Sequence, residues 1–257
     1  MCRGLPSITK KHERDLQQYF KTIGETKIAG KTPQNEAACW MFRQGKSASN
    51  RQRYALAVVY YASKGAQWDI NTNWMTPKHE CSWYGVTCNA FRKIVELDLG
   101  YIELEGELRF VDFGCPLVFK ATWNLYLCLS ICIALPLILE GLIPRELGLL
   151  DGITDLDLHG NDLQGVLPHR ILVGMNKIQY LRLQMNGLFG SIHKEMTRMK
   201  HLKELYLFGN FFAGSIPKQL SKLKQVEVID LYANQLTGTV RISKTTKVAK
   251  TFQRIEY

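Results

Sequence analysis

The first thirty residues contain no run of seven or more apolar side chains, so a secretory leader is not expected at this N-terminus. None of the eleven asparagines opens an Asn-x-Ser/Thr acceptor, which gives no support to a glycosylated surface. The body of the chain also lacks a charge excess. Residues 1–53 carry 11 basic and 4 acidic side chains and residues 241–257 carry 5 and 1, whereas residues 54–240 carry 17 and 18. Nucleic-acid binding needs a basic stripe on the folded surface itself. No nucleic-acid partner is therefore expected, and the lysines around Lys10 and Lys247 read as solvated tails.

Catalytic patterns are missing as well. The segment 24–32, GETKIAGKT, has five residues between its glycines where a phosphate-cradling loop needs four, and no apolar strand precedes it. His12-Glu13 and His79-Glu80 lack a second histidine at zinc-helix spacing, and no serine nucleophile elbow occurs. Asp155 and Asp157 form a carboxylate pair, but on a strand of an open sheet they are neighbours rather than the lining of a desolvated cleft. Neither enzymatic activity nor a cofactor or metal is expected.

With 46% hydrophobic and 22% charged residues among 257, the chain has globular composition. Its organisation comes from an internal period. Asn161, Asn186, Asn210 and Asn234 recur at intervals of 24 or 25, and Gly165, Gly190, Gly214 and Gly238 follow each by four residues. Leu156/Leu158, Leu181/Leu183, Leu205/Leu207 and Ile229/Leu231 precede the asparagines, and Leu163, Leu188, Phe212 and Leu236 follow them. Each unit reads as a short strand with two inward side chains and one outward residue between them. The asparagine amides are placed to bond the backbone of adjacent turns as a ladder. One unit cannot bury its own apolar face; a stack closes a continuous core.

This LxLxxNxLxG pattern resembles the leucine-rich repeat family. The segments 163–168 (LQGVLP) and 212–217 (FAGSIP) are similar to its plant-type subclass. The resemblance covers about residues 51–240 and implies an α/β solenoid, a right-handed superhelix with a short parallel sheet on its concave face and an N-terminal helical cap. Upstream, a helix is predicted from Arg51 to Lys64, with Asn50 at its start and Gly65 as its stop. Trp74 and the segment 81–88, CSWYGVTC, look like the N-terminal cap of plant-type ectodomains. Cys81 and Cys88 are the one pair among seven cysteines that looks designed. A disulfide between them would pin a short loop; free thiols and half a zinc site are the competing readings, and no further ligand stands at metal spacing.

The expected division is a basic, unstructured region at 1–50, the cap at 51–93, a solenoid at 94–240 and a basic tail or degenerate repeat at 241–257. An apolar insertion at about 107–141 interrupts the solenoid, because removing those 35 residues restores the 24-residue phase. Within it, 121–139 is free of formal charge and close to the length of a membrane span. Insertion, degenerate repeat and membrane span remain open readings of this stretch.

Outward strand positions of stacked repeats fall into columns. One runs Glu96, Asp155, Tyr180, Glu204, Val228; the next Asp98, Asp157, Arg182, Tyr206, Asp230; the third Gly100, His159, Gln184, Phe208, Tyr232. Aromatics with carboxylates and one arginine have the composition of a protein or peptide interface, although any such strand must place something outside. The resemblance implies a non-catalytic binding module, the ligand-binding part of a cell-surface or extracellular receptor-like protein. An intracellular scaffold and an enzyme inhibitor are the alternatives.

Overall fold

The computed structural model describes residues 32–44, 50–102 and 143–237. The insertion at 107–141, the stretch 121–139, Gly238 and the tail 241–257 lie outside the described residues. Among those described, no helix is long and apolar enough to cross a membrane.

Two helices open the described chain, α1 (Pro33–Arg43) and α2 (Arg51–Ala62), and they pack on each other. Asn50 caps α2 by accepting a hydrogen bond from the Arg53 amide, as the sequence predicts. Helix α1 corrects the expectation of an unstructured region through residue 50. Proline opens it and Ala37, Trp40 and Met41 recur at helical spacing, so one apolar face is buried against the rest of the cap. The basic bias of the N-terminal stretch hid that face. Cys39 on this helix is disulfide-bonded, a second correction, since only Cys81 and Cys88 stood out as a pair. Those two are joined.

Arg53 is the keystone of this layer. It donates through Nε to Glu80 Oε2 at 3.0 Å and through Nη2 to the Lys78 carbonyl, and it lies over the rings of Trp40 and Trp83. Trp68, Trp74 and Tyr60 complete an aromatic cluster below it.

The solenoid carries two sheets. The concave one is ordered β1 (Val86–Cys88), β2 (Ile94–Asp98), β3 (Asp155–Asp157), β5 (Tyr180–Arg182), β7 (Glu204–Tyr206), β9 (Val228–Asp230); β1 is antiparallel to β2 and every other pairing is parallel. Leu97, Leu156, Leu181, Leu205 and Ile229 line up in register and point into one core. The second sheet, ordered β10 (Gln235–Thr237), β8 (Phe211–Ser215), β6 (Gly187–Gly190), β4 (Gln164–Val166), is additional to the one strand per repeat that the sequence predicts. Short helical turns, Arg145–Leu149, α3 (His169–Gly174), Lys194–Arg198 and Lys218–Lys222, return the chain from one repeat to the next.

The asparagines form the expected ladder. Asn186 Nδ2 donates to the carbonyls of Leu158, Leu183 and Gln184, and its Oδ1 accepts from the Leu163 amide. Asn161, Asn210 and Asn234 repeat the donor pattern in their own turns. Backbone groups sealed from water by stacking thus find partners in side chains.

Candidate partner-binding face

Strand β2 pairs directly with β3, Glu96 opposite Asp155 and Asp98 opposite Asp157, across the long sequence interval between them. The first two columns continue as Asp155, Tyr180, Glu204, Val228 and Asp157, Arg182, Tyr206, Asp230. The third extends past the strand ends through amide-to-carbonyl bonds from Tyr101 to His159, Gly160 to Gln184, Met185 to Phe208 and Gly209 to Tyr232. These columns carry six carboxylates, Glu96, Asp98, Asp155, Asp157, Glu204 and Asp230, against the one guanidinium of Arg182.

Arg182 is fully engaged within the face. It bonds Asp155 at 2.9 Å, approaches Glu204 at 3.5 Å and lies 5.3 Å from the Tyr180 ring centroid. Burial alone would lower its pKa, but Asp155, Asp157 and Glu204 outweigh that and raise it, so it is a fixed cation. Burial pushes the Asp155 carboxyl above its ordinary value. Arg182 pulls it back, and repulsion from Glu96 and Asp157 adds to the rise. The carboxylates are therefore crowded beyond what a single arginine neutralises.

Part of this acidity serves the fold. Asp98, Asp157 and Asp230 each accept, through Oδ1, the amide of the residue two further on, ending their strands with an Asx turn. Asp157 Oδ1 also contacts His159 Nδ1. The imidazole lies over Gly100, where a Cβ would come within 2.6 Å of the ring.

Two expected contact residues are placed differently. Gln184 is only 8% exposed, and its side-chain carbonyl oxygen is buried without a hydrogen-bond partner; it is not an open contact position. Tyr180 is flanked by Arg182 and by Lys203, whose Nζ is 5.7 Å from its ring centroid, so that ring is already engaged. Tyr232 stands open at 63% exposure, while Tyr206 and Phe208 are half-buried.

Further open apolar surface lies one position beyond the third column. Tyr101, Gly160, Met185, Gly209 and Ala233 all have positive φ, between 51° and 65°. Left-handed backbone costs a non-glycine residue roughly 1–2 kcal/mol, yet this rim carries a tyrosine 61% exposed and a methionine 47% exposed. Sequence reasoning passed over both. The available signal was bulk at a repeat position that is glycine in two other turns.

Away from the columns, a cavity of about 250 Å³ opens between the turn Arg145–Leu149 and α3 and shares no lining residue with the concave face. Among the described residues, no group of three or more His, Cys, Asp and Glu side chains is placed to hold a metal ion.

The family described as Leucine Rich Repeat matches residues 201–223. The probable LRR receptor-like serine/threonine-protein kinase RPK1 of Arabidopsis thaliana is 34% identical over 128 residues, 48% of this chain and 21% of that relative. The chain thus matches about a fifth of that relative's length. A solved BIR3–SERK2 complex from Arabidopsis thaliana superposes with a TM-score of 0.50 and 27% identity, covering 71% of this chain and 83% of that one. A plant ice-binding protein superposes at 0.55 with 23% identity, over 73% of this chain and 49% of that one, a likeness of fold alone. With the repeat in the sequence, the stacked register and these likenesses together, the chain is a leucine-rich repeat protein of the plant type.

Proposed function

We propose that this chain is the non-catalytic recognition module of a receptor-like protein at the cell surface, and that its concave face binds a peptide or protein segment carrying basic and apolar side chains. The observation that carries this reading is the charge of the face, six carboxylates against one arginine in stacked register, on a body that is near neutral as a whole. Such a surface attracts cationic partners and rejects anionic ones. The likeness to a receptor-like kinase supports the receptor setting. The Cys81–Cys88 disulfide favours an oxidising compartment.

Selection of random dodecapeptides displayed against the full chain tests the reading. Enrichment of peptides pairing Lys or Arg with an apolar residue is the expected result; enrichment of acidic peptides, or of none, contradicts it. A selected peptide should bind the double variant Tyr206→Ala, Phe208→Ala more weakly by about 2 kcal/mol, a loss near thirtyfold in a titration, if these rings are anchors. Unchanged affinity would move the anchor elsewhere. An intracellular scaffold would keep reduced thiols, so free labelling of Cys81 and Cys88 in native protein from its source cells would remove the cell-surface setting.

A further inference from the structure

The rim residues Tyr101 and Met185 form a single shelf. Tyr101 lies across Gly160, where a Cβ would come within 2.2 Å of its ring, and its hydroxyl reaches Met185 Sδ at 3.5 Å. Its ring meets the His159 imidazole edge to face, centroids 4.6 Å apart. The His159 imidazole contacts Asp157, so an exposed apolar ledge adjoins the acidic columns directly. Gln184, immediately before Met185 in sequence, holds the unpaired buried carbonyl oxygen.

We propose that the Tyr101–Met185 shelf seats an apolar side chain of an extended peptide whose neighbouring basic residue pairs with Asp98 and Asp157. This rests on the concave-face reading above and deepens it, naming the rim subsite that distinguishes a basic–apolar pair from a basic residue alone. Charge selects the occupant. A peptide bearing only apolar side chains gains nothing from the adjoining carboxylates, and an acidic one is repelled. The two large left-handed residues keep apolar surface where glycine would relieve the backbone, and an aromatic ring beside an adaptable thioether suits an aliphatic or aromatic guest.

The test is a double-mutant cycle between protein and ligand, using the full chain and a display-selected dodecapeptide containing the basic–apolar pair. Met185→Gly installs the residue found at this position in two other turns, so the variant is expected to melt no earlier than the parent. It is expected to bind the peptide about tenfold more weakly. Replacing the apolar residue of the peptide by serine should cost the parent chain a similar factor and cost Met185→Gly little; Met185→Leu should restore binding. Full affinity in Met185→Gly, or independent losses in the cycle, would overturn the shelf. Asp98→Asn and Asp157→Asn, which keep the Asx turns and remove charge, separate the two levels. If they weaken binding while Met185→Gly does not, the acidic face stands and the shelf falls; if neither weakens it, both fall.

Discussion

Glu80→Gln is expected to destabilise the helical cap by about 3–5 kcal/mol, because it strands a buried guanidinium without its counter-ion. Arg53 and Glu80 are each 2% exposed, so water cannot replace either partner. Asn50 Nδ2 donates to the other Glu80 oxygen, tying the start of α2 to the same carboxylate. Replacing both members by leucine should cost less than removing Glu80 alone, since no unpaired charge is then left inside. Trp40, Trp68, Trp74 and Trp83 all lie in this layer, so the shift is measurable as the tryptophan-fluorescence midpoint in urea. A midpoint unchanged in Glu80→Gln would show that the pair is not closed in solution.

The same carboxylate sets a pH dependence. Burial would raise the Glu80 pKa, but a backbone hydrogen bond, Arg53, nearby His79 and Asn50 together lower it below 4.5. A group depressed on folding contributes its full stability above its unfolded value and loses that contribution as pH falls through the folded one. The cap should therefore weaken below about pH 4.5, and Glu80→Gln should flatten that part of the curve.

Asn186→Ala is expected to cost about 3 kcal/mol. The substitution leaves the Leu163 amide without its partner inside the stack and takes one donor each from the carbonyls of Leu158, Leu183 and Gln184, which keep those of Asn161, Asn210 and Gly160; an unmet buried group costs about 1–3 kcal/mol. Asn234→Ala removes the same kind of bonds from a half-exposed site, where water substitutes, and should cost about 1 kcal/mol. Because solenoids unfold by repeats rather than as one unit, native-state hydrogen exchange is the suitable measurement. Faster exchange should appear first at Leu163. Equal effects at the two positions would mean that the ladder carries no load from burial.

The parts of this molecule that repeat were legible in its sequence. Leu156, Leu181 and Leu205 predict one buried row, and Glu96 falls opposite Asp155 once 35 residues are set aside, because register in a stacked parallel sheet is fixed by phase alone. What escaped depends on three-dimensional neighbours or on a biased background. Helix α1 carries its apolar spacing inside a basic stretch. Arg53 has no sequence signal of burial, because Trp40 and Trp83 come over it only in the folded cap. Gln184 was assigned to the open face by alternation, which is correct for direction and silent about what packs over it. Tyr101 and Met185 drew no reading from the sequence, although a bulky side chain at a left-handed position is itself a departure that asks for a reason.

Photo-crosslinking of a selected basic–apolar dodecapeptide to the full chain, followed by mass spectrometry of the attachment sites, tests the concave-face account most directly. The account predicts attachment on the columns and rim, at Tyr101, His159, Met185, Tyr206 and Phe208. Attachment on the second sheet, at Gln164, Phe189 or Thr237, or around the cavity beside Arg145 and His169, would contradict it.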